Sequence, residues 1–183
     1  MTGLAVPAGI VVRAAAPADA ARVAEVHVAS WRAAYRGLMP QALLDGLSVE
    51  RRTVGWERSI SDGSTRVLVA AEPAGAVVGF VATGDCRDDD AGQGVGELFA
   101  IYLDPAWWDR GVGRGLFEAG TAALASEFDE ATLWVLDTNA RARGFYERNG
   151  WQPDGATKRA TIGDTEVEEV RYRRRLAGQR SEG

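Results

Sequence analysis

Three glycines at alternate positions stand at the start of a helical pattern in the middle of the chain. Gly111, Gly113 and Gly115 follow an apolar, β-favouring run at 98–103 that breaks at an Asp-Pro pair. A strand that turns into a helix through glycines directs the unpaired N–H groups of the first helical turn, and the positive end of the helix dipole, toward one spot. The spacing therefore predicts a site for a phosphate-bearing ligand at this helix start.

Known phosphate-binding loops differ from this segment in the spacing of their residues. A P-loop requires the pattern GxxxxGK[ST], which the sequence does not contain. A dinucleotide-binding turn has the pattern GxGxxG or GxGxxA and follows an early strand. Here Leu116 occupies the last position of that pattern, and the segment lies in the middle of the chain. A glycine-rich helix start without any ligand also stays open, because alternating glycines alone specify little.

The composition limits the classes of protein. The chain has 183 residues, of which 46% are hydrophobic and 26% charged, and this fits one globular domain. A net charge of −5 argues against a general nucleic-acid binder. No CxxC metal site exists, and no apolar run approaches the roughly 20 residues that span a bilayer. We expect a cytoplasmic protein without metal, membrane or nucleic-acid partners, in which residues 10–176 form one domain between flexible tails at 1–9 and 177–183.

Apolar periodicity and turn residues predict an alternation of strands and helices. Strands are predicted at 10–13, 67–71, 76–83, 98–103, 132–136, 156–162 and 167–175, and helices from Pro17, at 41–47, at 49–60, after Gly111 and at 140–149. Gly163-Asp164 is a tight-turn pair that predicts a closing hairpin. The acidic segment 85–94 is predicted as an exposed loop, and the late RYRRR run as part of an edge strand. This order predicts one α+β domain with a mixed sheet.

Two motifs in the second half of the chain resemble those of the GCN5-related N-acetyltransferase (GNAT) superfamily. The segment ELFAIYLDPAWWDRGVGRGLFEAG is followed about twenty residues later by LWVLDTNARARGFYERNGWQ. The second motif, N-x-x-A-x-x-x-Y-x-x-x-G-[FW], matches without a gap at Asn139, Ala142, Tyr146, Gly150 and Trp151. The first departs from the family pattern, because Trp108 occupies its Gln/Arg position and Asp109 stands where a small or polar residue is usual.

The resemblance implies a fold and an activity. The fold is a mixed, mostly antiparallel sheet with a splayed pair of strands and helices on both faces. The activity is direct transfer of an acetyl group from acetyl-CoA to a primary amine, borne either by a small molecule or by a peptide or protein. A non-catalytic acyl-CoA-binding or sensing module is the alternative, and a homodimer is left open.

The resemblance also implies which residues bind the co-substrate. The backbone N–H groups from Trp108 to Arg114 would hold the pyrophosphate, and the backbone of Ile101 and Leu103 in the central strand would pair with the pantetheine arm. Asn139 would contact the arm or hold the splayed strand, or it would cap its own helix, and it could do both. The implied cofactor-binding residues are Ile101, Tyr102, Leu103, Trp108, Asp109, Arg110, Gly111, Val112, Gly113, Arg114 and Asn139.

Two catalytic residues follow from the same resemblance. Glu97 lies where similar enzymes carry a base, with Asp85 as a substitute. The N–H of Ile101, at a bulge of the strand, would polarise the thioester carbonyl. Tyr146 would protonate the departing thiolate. Cys86 has no histidine nearby in sequence and is not expected to act as a nucleophile.

The acceptor side is less defined. By the same resemblance His27, Trp31 and Tyr35 would lie near the acceptor, although all three are also typical core residues. The acidic run 88–90 could attract a cationic acceptor, or it could be an ordinary solvated loop.

Overall fold

A computed structural model describes residues 7–176, so the predicted tails lie largely outside the described residues. The five α-helices are α1 (Ala20–Ala34), α2 (Gln41–Asp45), α3 (Val49–Asp62), α4 (Val112–Ala125) and α5 (Ala140–Arg148). The seven strands are β1 (Val11–Ala14), β2 (Arg66–Ala71), β3 (Val77–Asp85), β4 (Val95–Leu103), β5 (Glu130–Leu136), β6 (Gln152–Ile162) and β7 (Thr165–Arg175). They form one sheet in the order β1-β2-β3-β4-β5-β7-β6.

The sheet is antiparallel except where β4 meets β5. Helices α4 and α5 pack on one face, which we call the α4 face, and α1 and α3 pack on the other, the α1 face. This arrangement confirms the predicted mixed, mostly antiparallel sheet with helices on both faces. The predicted closing hairpin is present, and Gly163 takes the left-handed conformation, φ 61°, in the two-residue turn between β6 and β7. Strands β2 and β3 form a second antiparallel pair of consecutive strands.

Strands β4 and β5 pair only where they begin. Three parallel pairs join them, and Glu97 opposite Thr132 is the last. β4 then continues to Leu103 and β5 to Leu136 without a further pair. The two strands therefore enclose a wedge-shaped gap, which is the predicted splay.

A bulge at Phe99 resets the alternation of side chains along β4. Phe99 has no partner in β3, because Leu98 and Ala100 lie opposite consecutive residues of that strand. Such an extra residue shifts all later side chains by one position relative to the sheet faces. Leu98 and Ile101 consequently both pack on the α4 face, while Ala100 packs on the α1 face.

Helix α4 lies close to the sheet at Gly120. A Cβ at Gly120 would come within 2.8 Å of the Val81 side chain in β3, so a larger residue would push the helix outward. The close approach fixes the start of α4 beside the open end of β4, where Gly113 faces the side chain of Leu103.

Two expectations about the closing hairpin were wrong. β7, which carries the RYRRR run, lies between β5 and β6, so β6 is the edge strand instead. β6 also begins at Gln152 rather than at 156. Pro153 and Gly155 suggested a loop there, but an edge strand tolerates both, and the pairing with β7 is irregular between Pro153 and Thr157.

Candidate active site

One cavity of about 830 Å³ fills the gap between β4 and β5. It extends from the start of α4, along the open side of β4, to the end of α1 and the β6–β7 hairpin. The predicted site residues that line it are Ile101, Tyr102, Leu103, Trp108, Asp109, Gly111, Gly113, Arg114, Asn139 and Tyr146, together with Trp31 and Tyr35. The structure thus brings most of the sequence-predicted site together.

The start of α4 presents a row of free backbone donors. Within residues 7–176, the N–H groups from Asp109 to Arg114 have no hydrogen-bond acceptor, and the first N–H of this segment that is bonded belongs to Gly115, which donates to Gly111 O at 3.3 Å. The expected row was one residue longer, but Trp108 N–H donates to Pro105 O at 3.3 Å because a short 3-10 turn precedes the helix. Free donors at a helix start fit the two negative phosphates of a pyrophosphate.

Asp109 fits its position for a conformational reason. It has φ 58° and Gly111 has φ 82°, so the loop bends twice through the left-handed region, which Asp tolerates better than most residues. The exposed carboxylate of Asp109 is 3.3 Å from a guanidinium nitrogen of Arg141 on α5. The charge of Asp109, which is unfavourable beside donors that suit a phosphate, is therefore partly neutralised by Arg141.

The basic residues around this loop are held by aromatic and acidic neighbours. Arg110 lies over the Trp107 ring at 5.3 Å and Arg141 over the Trp108 ring at 4.8 Å. Arg114 donates to Glu118 one turn further along α4, at 2.8 Å. Their positive charge makes this end of the cavity suitable for a phosphate group.

The open side of β4 offers backbone groups at alternate residues. Asp104 N–H donates to Val78 O at 2.9 Å, which makes this pair the hydrogen-bonded kind. Since the two kinds of pair alternate along an antiparallel ladder, the backbone polar groups of Ile101 and Leu103 point away from β3 and into the gap. Those of Tyr102 point toward β3, so Tyr102 can meet a ligand only through its side chain.

One backbone group on the open side of β4 already forms a hydrogen bond within the protein. Trp108 Nε1–H donates to Leu103 O at 3.2 Å, which connects the loop before α4 to the end of β4. The N–H of Leu103 and both backbone polar groups of Ile101 remain for an extended ligand. The bulge expected at Ile101 lies at Phe99, and its effect is to turn Ile101 toward the gap.

Tyr146 forms part of the cavity wall below the splay. Its side chain is only 8% exposed and packs against Phe117, Phe145 and Tyr172. Burial, and to a smaller extent nearby Tyr102, raise the pKa of Tyr146. No hydrogen bond is formed by its hydroxyl with any residue of the described part of the chain. The phenol therefore stays protonated and can donate to a group in the cavity.

Asn139 is the N-cap of α5. Its Oδ1 accepts from Ala142 N–H at 3.1 Å, so the capping role suggested by the sequence is present. The amide nitrogen makes no hydrogen bond with residues 7–176, and Asn139 lines the cavity. One side chain can thus cap the helix and still donate to a ligand.

Glu97 lies at the root of the splay but outside the cavity wall. Its side chain is 7% exposed and accepts from Arg87 N–H at 3.0 Å, and the Arg87 guanidinium is 3.5 Å away. Asp85 is exposed at the end of β3 and does not line the cavity either. Glu97 therefore has no direct contact with the cavity.

His27 is a core residue in an aromatic cluster. Its ring stacks on Tyr102 at 4.8 Å between centroids, and its Nδ1 accepts from Trp56 Nε1–H at 3.2 Å. Burial first, and then the Arg52 guanidinium, lower the pKa of His27 to about 3. His27 is therefore neutral, and it lies outside the cavity wall that Trp31 and Tyr35 help to form.

The acidic run is not a free acidic patch. Arg171 of β7, only 6% exposed, binds Asp88, Asp90 and Asp154 at 3.1, 2.6 and 2.8 Å. Asp88 also accepts from Trp134 Nε1–H at 2.9 Å. The expected exposed loop is present at Asp89 and Asp90, whereas Asp88 is partly buried. Because the buried guanidinium of Arg171 binds Asp88 and Asp90, these two carboxylates are not free to attract a cationic acceptor.

Arg141 and Glu169 are two of the cavity residues that were not predicted from the sequence. Arg141 belongs to the motif segment but matches no motif position, and Glu169 lies in a polar strand with no motif at all. Neither has a local signal, because each acts across the fold. Among residues 7–176, no group of three or more His, Cys, Asp or Glu side chains could hold a metal ion, and no helix is long and apolar enough to cross a membrane.

Comparison with known proteins agrees with this geometry. Residues 22–151 match the model of the family described as Acetyltransferase (GNAT) family. The chain is 34% identical over 131 residues to the Uncharacterized N-acetyltransferase YuaI of Bacillus subtilis (strain 168), which covers 71% of this chain and 73% of that protein. It is 29% identical over 154 residues to the Probable N-acetyltransferase Rv2775 of Mycobacterium tuberculosis, covering 82% and 84%.

A solved structure shares the fold. The crystal structure of PaiA N-acetyltransferase from Thermoplasma acidophilum in complex with coenzyme A has a TM-score of 0.70 at 20% identity, covering 91% of this chain and 98% of that one. The motifs, the splayed sheet and the family match all agree. The chain therefore belongs to the acetyltransferase (GNAT) family, and it is an acetyl-CoA-dependent N-acetyltransferase.

Proposed function

We propose that this enzyme transfers the acetyl group to a primary amine by direct attack, with Tyr146 as the acid and Glu97 as the base acting through water. The observation that carries the proposal is the cavity itself, because free amides at the start of α4, the open side of β4 and the Tyr146 side chain all face one space. Acetyl-CoA supplies a thioester carbonyl that an amine can attack.

The binding residues act at the two ends of that space. The N–H groups from Asp109 to Arg114 hold the pyrophosphate, and the backbone of Ile101 and Leu103 pairs with the extended arm. Asn139 donates its amide to the same arm. Free donors at a helix start and along a strand edge support these roles, since they need no rearrangement to bind.

Three groups carry out the chemistry, one by polarising the carbonyl and two by transferring protons. Ile101 N–H, which points into the gap, polarises the carbonyl oxygen. Tyr146 gives its proton to the sulfur as the carbon–sulfur bond breaks, and its raised pKa keeps that proton in place until then. Glu97 takes the proton of the amine through water that enters the root of the splay. No covalent bond to the enzyme is needed.

Tyr146→Phe separates catalysis from binding. We expect turnover to fall by about a hundredfold, because only the acid is lost, while the dissociation constant of acetyl-CoA changes less than about twofold. Coenzyme A release across a panel of primary amines measures the first, and calorimetry the second.

Tyr172→Phe is the matched control for that variant. Tyr172 is a buried tyrosine on the same sheet face, but its hydroxyl donates to Glu147 at 2.7 Å and it does not line the cavity. Unchanged turnover in Tyr146→Phe, or equal losses of turnover in the two variants, would refute the acid role. Glu97→Gln tests the base in the same assay, and a normal rate at neutral pH would exclude it.

A further inference from the structure

The end of the cavity opposite the phosphate site contains a carboxylate whose hydrogen-bonding capacity is not used. Glu169 of β7 lines the cavity, and its side chain is only 20% exposed. Within the described ranges it accepts no hydrogen bond, since its nearest cation, Lys158 Nζ, is 3.6 Å away. A half-buried carboxylate normally finds donors, so this one has acceptor capacity left for a ligand.

Lys158 shows what this place can bind. Its ammonium lies 3.6 Å from Glu169 and 4.0 Å from the centroid of the Trp134 ring. Trp134 also lines the cavity, and its indole N–H is held by Asp88 at 2.9 Å, which fixes the ring. A carboxylate beside an aromatic face is a favourable environment for an ammonium group.

The charges along the cavity wall are separated. Arg114, Arg141 and Arg148 line it around α4 and α5. Asp109, already paired with Arg141, and Glu169 are the only acidic side chains in the wall formed by residues 7–176. An anionic co-substrate is therefore favoured at one end and a cation at the other.

The proposed function assigns the reacting amine to Glu97 and water at the root of the splay, so the amine that Glu169 holds is a different one. A contact with a carboxylate favours the protonated form of an amine, whereas attack on a carbonyl requires the neutral form. An acceptor that uses Glu169 must therefore carry a second amino group.

We propose that Glu169 is a specificity-determining residue that binds a second ammonium group of the acceptor in the place of Lys158, so that diamines are preferred over monoamines. This inference rests on the proposed function for the reacting amine. It extends that function by naming the acceptor class, which is a primary amine that carries a further positive charge.

The test compares cadaverine, a five-carbon diamine, with pentylamine, which has the same chain and one amino group. Binding of each to the coenzyme A-saturated protein is measured by calorimetry at low salt. We expect cadaverine to bind about tenfold more tightly, the order expected for one charge-assisted contact. Glu169→Gln abolishes this preference. Lys158→Met increases it, because the competing ammonium is removed.

Glu168→Gln is the matched control, since it removes one charge from the neighbouring, exposed position of β7 and is expected to keep the preference. Equal binding of the two amines, no binding of cadaverine, or an unchanged preference in Glu169→Gln overturns the inference. If Glu169 only pairs across the strands with Lys158, Lys158→Met leaves the preference unchanged.

Failure of this inference is distinguishable from failure of the proposed function. Acetylation of pentylamine needs only one amino group and tests the transfer reaction alone. If pentylamine is acetylated without any preference for the diamine, only the role of Glu169 is wrong. If cadaverine binds through Glu169 but is never acetylated, the transfer to amines is wrong.

Discussion

Two buried side chains, His27 and Tyr146, show how hydrogen-bond partners separate a structural residue from a catalytic candidate. Both lie among aromatic rings, and both have a pKa shifted toward the neutral form by burial. The ring nitrogen of His27 is satisfied by Trp56, whereas the hydroxyl of Tyr146 has no partner within residues 7–176 and its side chain lines the cavity. Both residues were site candidates at the sequence level, because the family resemblance picks out their positions. The contact of Glu97 with Arg87, by contrast, could not be predicted from the neighbours of Glu97 in the sequence.

The pKa of His27 makes stability depend on pH. Between pH 6.5 and about 3, the unfolded chain binds a proton at this position that the folded chain does not. The unfolding free energy is therefore highest above pH 6.5 and falls as the pH is lowered, by at most about 1.4 kcal/mol per pH unit. Urea unfolding between about pH 5 and 7, where ordinary carboxylates are ionised, measures this slope.

His27→Gln is the variant to compare, since its amide oxygen can still accept from Trp56. We expect a lower but flatter stability profile over the same interval. Parallel profiles for the two proteins would show that another group titrates.

At the level of elements, α4 and β4 provide two rows of backbone donors that meet at Leu103. The start of α4 was predictable, because its glycines and the preceding Asp-Pro pair are local signals. The bulge at Phe99 was not predicted at its position, because no glycine or proline marks it. Its consequence is large, since it turns Ile101 from the α1 face to the α4 face.

Gly113→Asp tests the phosphate site without disturbing the fold. A Cβ at Gly113 would meet only the Leu103 side chain, at 3.6 and 4.0 Å, which is ordinary contact. We expect a folded protein whose affinity for acetyl-CoA falls by at least about a hundredfold, because the new carboxylate repels the phosphates. Calorimetry and a melting curve measure the two effects.

Gly55→Asp is the control, because Gly55 also lies within a helix and a Cβ there would meet nothing within 4 Å. It is expected to bind acetyl-CoA normally. Undiminished binding by Gly113→Asp would rule out the start of α4 as the phosphate site.

At the level of the whole molecule, Arg171 connects the loop after β3 to β7 and β6 across the splayed sheet. Asp88 and Arg171 are 83 residues apart in the chain, so the sequence offers no hint that they meet. The acidic loop was expected to be solvated because runs of charged residues usually are, and the sequence contains no local sign of the contact with Arg171. Local sequence patterns predicted the order of elements and the start of α4. Contacts between charges that are distant in sequence could be identified only in the structure.

Arg171→Met tests this connection. It leaves three carboxylates around an uncharged side chain, and we expect the unfolding free energy to fall by about 3–5 kcal/mol. Arg159→Met is the control, because Arg159 is exposed on β6, and a change within about 0.5 kcal/mol is expected. Denaturant unfolding of both variants measures these changes. Equal losses of unfolding free energy would mean that the ion pairs of Arg171 do not stabilise the fold.

Lys158 is the only lysine in the sequence, and its ammonium lies beside Glu169 and Trp134, which both line the cavity. An amine-reactive dye can therefore label this protein at one side chain besides the N-terminus. A fluorophore placed there would sit against the Trp134 indole, so that quenching reports directly on what enters the cavity.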